Sequence, residues 1–272
     1  MRRRCGFTLI ELLLVMVLLG ISLVGASRVI RAFSSMYDDQ AEQDSLVSQS
    51  RFVLERLNRE LRDITPYSVR LSSSGQNQCL EFVPFTHSGR YRNLPLSPDT
   101  RSYLDVVSLD TSFTASAGQY LLVYPTQNSD VYSNSGQRVQ LASTPLGNDG
   151  DGNSATYRLQ FTAATSFSQG SPAQRYFLLD NPVSYCVQAG QLWRYQGYTW
   201  QSSQPMPGAG LAGGALMATS IINDLSTAPV FTLDNASLQR NSLIKIWLQF
   251  ANSSDSNTVL SFHHLVQVQN VP

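Results

Sequence analysis

The sequence has few of the residues on which enzymes and metal proteins depend. It has three histidines in 272 residues, and His263 and His264, as neighbours on a strand, would point to opposite faces and so would not share a metal with ease. No G-x-S-x-G, H-E-x-x-H or P-loop motif occurs. The G-x-G-x-x-G pattern at residues 208–213 follows a Pro-rich stretch, which predicts a loop rather than a nucleotide site. We therefore expect a protein that is not an enzyme.

An excess of charge of one sign is also absent. The chain has 19 Lys and Arg residues against 19 Asp and Glu residues. Arg2, Arg3 and Arg4 stand before the first apolar run, and removing these three would leave 16 basic against 19 acidic residues, a net charge of −3. Such a balance provides no basic surface for nucleic acid, so we expect no nucleic-acid partner.

One long hydrophobic run is present, at residues 7–26, and Glu11 is its single charge. Twenty helical residues span the ~30 Å hydrocarbon core of a bilayer, which predicts a membrane span. The small residue Gly6 lies before the run, unlike the cleavage site of a secretory signal, so cleavage there would keep the span. A carboxylate inside a span costs about 2.5–3.5 kcal/mol, which predicts a partner for Glu11. The alternative is an acid near the interface that snorkels or is protonated.

The motif G-F-T-L-I-E at residues 6–11, after the basic leader, resembles the class III signal of type IV pilins and type II secretion pseudopilins. The resemblance implies that a prepilin peptidase cuts between Gly6 and Phe7 and that Phe7 is then N-methylated. It also implies that Glu11 pairs with the terminal amine of a neighbouring subunit, and that other major and minor pilins bind through the N-terminal helix. The length of the chain and the absence of Pro in the span favour a minor subunit.

Two later stretches, residues 79–92 and 183–195, resemble the larger minor pilins of the MSHA (mannose-sensitive haemagglutinin) type IV pilus, the MshO-like group. This resemblance implies a minor pilin that acts in pilus assembly initiation or at the tip. J-type minor pseudopilins of type II secretion and PilW-like pilins share the same plan and stay open as candidates. Two further functions stay open as well, an adhesive tip binding module and a membrane-tethered periplasmic enzyme, although the sequence has no recognisable site for the enzyme.

The cysteines and arginines bear on the compartment. Three arginines precede the span while Arg28 and Arg31 follow it, which narrowly favours a cytoplasmic N-terminus. Cys5 would leave with the leader, and Cys79 and Cys186 remain as an even pair suited to an oxidising periplasm. We expect a disulfide between them, with two buried free thiols as the alternative. The expected location is the bacterial inner membrane, with a single span and a periplasmic C-terminal domain, and the pilus after assembly.

The expected fold is α+β, with a long N-terminal helix packed on a mostly antiparallel β domain. Apolar residues recur every three or four positions after the span, which predicts one helix over residues 7–65 that ends at Pro66. The expected segments are a leader (1–6), a transmembrane helical stem (7–26), the soluble half of the helix (27–65) and a periplasmic β-rich domain (66–272).

Beyond Pro66, alternating and β-branched runs separated by Gly, Pro, Ser and Asn predict short strands. The last two strands are expected to form a C-terminal hairpin. A Pro- and Gly-rich loop is expected at residues 205–214 and a short helix at residues 215–225. The predicted strands are 67–71, 79–85, 103–109, 119–124, 138–141, 155–161, 175–179, 183–187, 191–195, 243–250 and 259–268.

One stretch has the side chains of a candidate calcium site. Asp149, Asp151 and Asn153 place side-chain oxygens at alternate positions, a spacing that can gather a calcium ion, which takes six to eight oxygen ligands. An EF-hand loop would have Gly and Glu where the chain has Ser154 and Gln160, so the stretch is not one. The alternative is an ordinary Asp/Gly turn, and no other cofactor is expected.

Overall fold

A computed structural model describes residues 8–108, 113–133, 135–147, 155–234, 242–251 and 259–268. It opens with the 52-residue helix α1 (Leu9–Glu60), about 78 Å long at 1.5 Å per residue. The helix ends five residues before the position expected from Pro66. Beyond it the backbone pairs with the β domain, because Thr65 N donates to Val83 O at 2.8 Å and Ile64 forms a β-bridge with Pro84. Tertiary pairing, not the proline, ends this helix.

Seventeen strands and one short helix, α2 (Asn128–Tyr132), follow among the described residues. The strands are β1 (Arg70–Ser74), β2 (Asn77–Phe82), β3 (Phe85–Arg92), β4 (Arg101–Val107), β5 (Tyr120–Val123), β6 (Arg138–Gln140), β7 (Leu146–Gly147), β8 (Thr156–Thr165), β9 (Arg175–Leu179), β10 (Val183–Gln188), β11 (Gln191–Gln196), β12 (Met206–Pro207), β13 (Gly210–Leu211), β14 (Ala215–Ala218), β15 (Phe231–Asp234), β16 (Ser242–Ala251) and β17 (Val259–Val268).

Three antiparallel sheets make up the β domain. The five-stranded sheet has the order β1-β2-β10-β11-β14, the seven-stranded sheet β6-β5-β9-β3-β4-β8-β7, and the three-stranded sheet β15-β16-β17. Strands β12 and β13 form a separate parallel pair. The turn between β10 and β11 has positive φ at both Ala189 (48°) and Gly190 (72°), which matches the twist of a two-residue hairpin.

The main core lies where α1 meets two of these sheets. Leu46, Val53 and Leu57 of the helix pack with buried residues of the five-stranded sheet, such as Leu80 and Tyr185, and of the three-stranded sheet. A separate core underlies the seven-stranded sheet. The helix is therefore held by the five- and three-stranded sheets.

The α+β fold class is confirmed, and several local predictions are wrong. The segment predicted as a helix at 215–225 instead begins with strand β14, whose residues pair with β11 at the edge of the five-stranded sheet. The predicted strand 79–85 is divided at Val83 and Pro84 between β2 and β3, which belong to different sheets. Strand β15 and most of β3 were not predicted, and the expected loop at 205–214 contains β12 and β13. The domain boundaries stay predictions.

Candidate functional site: the N-terminal stem

Helix α1 as a whole is called the stem from here on, and it begins directly after Thr8. Gly6 and Phe7 lie outside the described residues, and Thr8 is the N-cap of α1, where its Oγ1 accepts a hydrogen bond from Glu11 N at 3.4 Å. Glu11 is therefore in the first helical turn, where a carboxylate interacts favourably with the helix dipole. Its side chain is exposed, and no ion pair joins it to another residue in the described part of the chain. The capping role of Thr8 was not predicted, although Ser or Thr three residues before Glu is a known capping signal.

The first half of the stem has no packing partner among the described residues. From Leu9 to Ser34 every side chain is exposed except the half-buried Ser27, including Leu13, Leu18 and Leu23 at 55–61%. An 18-residue window of this helix is long and apolar enough to cross a membrane, and none of it is buried. An apolar surface of this length, exposed all round, fits a lipid environment or a bundle of similar helices.

The second half of the stem packs against the β domain. Leu46, Val53 and Leu57 are buried to 0–3% exposure, while Arg51 and Glu55 on the other side of the helix are exposed. Near the start of this half, the Gln49 side chain accepts a hydrogen bond at 3.1 Å from the backbone N–H of Thr219, the residue that follows β14. The stem is thus amphipathic only where the domain covers one face.

A polar cluster fixes the end of the stem to the five-stranded sheet. The Glu60 carboxylate accepts hydrogen bonds from Arg194 Nε at 3.0 Å and from the Tyr185 hydroxyl at 3.1 Å, and Arg56 Nε donates to it at 3.0 Å. Burial, together with the nearby Glu60 charge, raises the pKa of Tyr185 well above its ordinary value. Arg194 is 9% exposed, so this contact is well shielded from solvent. The i,i+4 pair of Arg56 and Glu60 can be read from the sequence, but the contacts of Glu60 with Tyr185 and Arg194 cannot, because these partners lie 125 and 134 positions away in the chain.

A second cluster orders the loop that follows β11. Arg70 pairs with the buried carboxylate of Glu81, and its Nη1 and Nη2 donate to the Ser202 and Gln201 carbonyls at 2.7 and 3.0 Å. The Tyr198 hydroxyl also donates to Glu81 at 2.9 Å. Burial raises the pKa of Glu81, while Arg70 opposes the shift. This arrangement ties the edge strand β1 to the loop.

The two cysteines of the β domain lie on neighbouring strands. Cys79 of β2 and Cys186 of β10 are directly paired in register and joined by a disulfide. They belong to a small buried cluster with Tyr195 and Leu211, on the sheet face opposite to the stem. Trp193 and Tyr198 pack against this cluster, so these two aromatic side chains serve packing.

No group of three or more His, Cys, Asp or Glu side chains that could hold a metal occurs among the described residues. The candidate calcium residues Asp149, Asp151 and Asn153 lie outside the described residues. Of the histidines, His263 stacks on Trp247 with ring centroids 5.0 Å apart, and His87 packs on Phe113 at 5.1 Å. Their contacts are those of ordinary packed or surface side chains.

Comparison with known families gives one match, at the start of the stem. Residues 1–27 match the model of the prokaryotic N-terminal methylation motif. The chain carries a type IV pilin-like prepilin signal. This signal implies processing by a prepilin peptidase and association with pilins, and it favours a structural role over an enzymatic one. Together with the exposed apolar helix, it supports an inner-membrane-anchored, pilin-like protein.

No curated protein and no solved structure matches the chain. The family model covers a tenth of the sequence and none of the β domain. The roles of Gly6, Phe7 and Glu11 stay predictions that follow from the signal.

Proposed function

We propose that the chain is a minor pilin of an MSHA-type type IV pilus, which acts in assembly initiation or at the tip. The prepilin peptidase removes residues 1–6, Phe7 is methylated, and Glu11 is the assembly carboxylate. The resemblance of residues 79–92 and 183–195 to MshO-like minor pilins supports the choice of pilus.

The observation that carries the proposal is the division of α1. The large side chains of its apolar first half are exposed, and the methylation motif at residues 1–27 covers most of this half. Its second half is bound firmly to the domain through buried leucines and the Glu60 cluster. A helix of this kind delivers a folded domain to the outside of a helical bundle, as assembly of a pilus requires.

The disulfide and the arginines support the proposed orientation. A disulfide between Cys79 and Cys186 requires an oxidising compartment, which for an inner-membrane protein is the periplasm. The three leader arginines lie on the opposite side of the span, where the positive-inside rule favours the cytoplasm. We therefore place the β domain in the periplasm before assembly.

The test is a substitution that removes the Glu11 carboxylate and keeps helix α1. A carboxylate in the hydrocarbon core of a membrane is costly unless a charge of opposite sign pairs with it, and cleavage before Phe7 creates an amine that a neighbouring subunit can offer. We expect Glu11→Ala to be inserted and cleaved like the wild type, because loss of a charge makes insertion easier. Its incorporation into pili, or pilus initiation, should fall at least tenfold. Immunoblots of sheared pili and of membranes measure both.

Two control variants distinguish the effect of the Glu11 charge from effects on helix capping and on cleavage. Thr8→Val removes the capping hydroxyl but keeps the carboxylate, so it should be incorporated nearly as the wild type is. Gly6→Leu should instead block cleavage and leave the longer precursor in the membrane. Wild-type incorporation of cleaved Glu11→Ala protein would refute the assembly role of this residue.

A further inference from the structure

Strand β17 (Val259–Val268) forms one edge of the three-stranded sheet, and no other described strand pairs with its outer side. It is ten residues long, and all ten residues pair with β16 in one continuous register. The other strands at sheet edges in the described ranges are five residues or shorter. A long open edge is a liability, because its free N–H and C=O groups can pair with another chain.

The usual devices that protect an open edge are missing from the sequence of β17. Natural edge strands carry lysine or other charged residues, proline or a bulge. Residues 259–268 include no Lys, Arg, Asp, Glu, Pro or Gly. Two apolar side chains on the outer face are exposed, Val259 to 44% and Leu265 to 62%. This composition is typical of a strand that has neighbours on both sides.

The backbone of β17 presents every second residue to the open side. Trp247 N of β16 donates to Val230 O at 2.8 Å, on the side of β15. Successive residues of a strand direct their N–H and C=O groups to opposite sides, so Ile246 faces β17, where its partner is His264. The odd-numbered residues of β17 therefore direct their N–H and C=O groups outward, over about 27 Å. They are Val259, Ser261, His263, Leu265 and Gln267.

The inner face of β17 is incompletely covered next to this edge. Val266 and Val268 are buried, at 4% and 2% exposure, in the core that also contains residues of α1. Leu260 and Phe262 lie on the same face near the start of the strand and are only half-buried. Apolar side chains of an added strand would cover these two residues, as neighbouring strands cover each other on one face of a sheet.

We propose that β17 binds an extended segment of a different subunit of the pilus, which adds a fourth strand to the three-stranded sheet. The segment alternates apolar and small polar residues and has no proline at its centre, so its apolar side chains lie beside Leu260 and Phe262. Main-chain hydrogen bonds provide the affinity, and the alternate side chains provide the specificity. The inference rests on the proposed function, which supplies the neighbouring subunits.

A second copy of the chain does not fit this edge. Antiparallel pairing of two β17 strands would relate the copies by a two-fold axis perpendicular to the sheet. Helix α1 packs on the inner face of the sheet, so its axis lies along the sheet plane and such a rotation would reverse its direction. Two stems anchored in the same membrane have the same direction. Parallel pairing would place the buried face of one sheet beside the exposed face of the other.

A synthetic peptide tests recognition by the edge. The labelled probe has ten residues of alternating valine and threonine, with two lysines at each end for solubility. Fluorescence anisotropy with the full chain in detergent should show saturable binding. The same peptide N-methylated at its four central amides keeps its side chains but loses backbone donors, so its affinity should fall at least tenfold. Equal affinity of the two peptides, or no binding of the first, would overturn the proposal.

Leu265 provides a matched pair of variants, because its N–H points outward and its side chain is exposed. Leu265→Pro removes this N–H and keeps the bonds between β16 and β17, since proline is tolerated on the open side of an edge strand. It should weaken binding of the unmethylated peptide at least tenfold. Leu265→Thr keeps the N–H and should change the affinity less than threefold.

Denaturant unfolding of both variants checks their folding. Unchanged peptide binding by a well-folded Leu265→Pro variant would show that the peptide binds elsewhere, which contradicts the proposal. The comparison of the two peptides uses the wild-type chain, so it decides the question even if Leu265→Pro does not fold.

Photo-cross-linking in cells that assemble pili identifies the partner. A photo-reactive amino acid in place of Gln267 should cross-link to an extended segment of another pilus subunit, located by mass spectrometry. Leu265→Pro should lower this product at least fivefold. Cross-links only to a second copy, or only within the same chain, would overturn the proposal. The peptide assay needs no pilus and does not depend on Gly6 or Glu11, so this inference and the proposed function fail separately.

Discussion

The two halves of α1 have the same backbone geometry and opposite surroundings. Leu18, in the first half, is 55% exposed and has apolar neighbours on all sides of the helix, whereas Leu57, in the second, is fully buried against the β sheets. One continuous helix therefore passes through two different environments. The domain stabilises only the second half, so the first half must obtain its stability from lipid or from other helices.

The largest expected effect is a loss of stability that occurs for a substitution in the second half of α1 and not for one in the first half. Leu57→Ala should lower the free energy of unfolding by about 2–5 kcal/mol, because it leaves a cavity in the core between helix and sheets. Leu18→Ala, the matched control, should leave the unfolding of the β domain unchanged. Denaturant unfolding of the full chain in detergent, followed by tryptophan fluorescence, measures both. An equal loss for the two variants would show that the halves do not unfold separately.

The next prediction concerns the disulfide, which joins two strands of the sheet that contacts the second half of α1. Cys79 and Cys186 connect β2 and β10, the strands that supply Leu80 and Tyr185 to the helix contact. Cys79→Ser should lower the free energy of unfolding by about 2–5 kcal/mol, or less if the native strands already pair without it. Non-reducing gels should show faster migration of the wild type. Full thiol labelling of the unreduced, denatured wild type at both positions would contradict the bond.

The smallest expected effect concerns pH at the Glu60 cluster. Burial raises the pKa of Tyr185, so the folded protein holds this proton more tightly than the unfolded chain does. The resulting stabilisation is complete below the ordinary tyrosine pKa of about 10 and is lost as the pH rises through the higher folded pKa. Tyr185→Phe should therefore flatten the fall in stability above pH ~10.

Tyr37→Phe is the matched control for this pH effect, because Tyr37 projects from the stem away from the domain. It should leave the slope unchanged. Tyr176 and Tyr198 also have pKa values raised by burial, so some slope should persist in the Tyr185 variant. Identical slopes for Tyr185→Phe and the wild type would show that this hydroxyl does not contribute.

Local features of the sequence are enough to predict the stem. An uninterrupted apolar run, a basic leader and the G-F-T-L-I-E motif are local features, and helix periodicity needs no distant partner to be recognised. The same holds for strands with clear alternation, such as β16 and β17, whose predicted bounds lie within one residue of the observed ones. Such segments carry their structural preference within about ten residues.

The end of the stem and the contacts that hold it depend on the tertiary fold. The helix stops at Glu60 because Ile64 and Thr65 pair with the segment after β2, and β14 is a strand because β11 offers it an edge. The contact of Glu60 with Arg194 and Tyr185 joins residues more than 120 positions apart. No local pattern encodes such a contact, since the favourable pairing arises only when the folded sheet brings the charges together and excludes water around them.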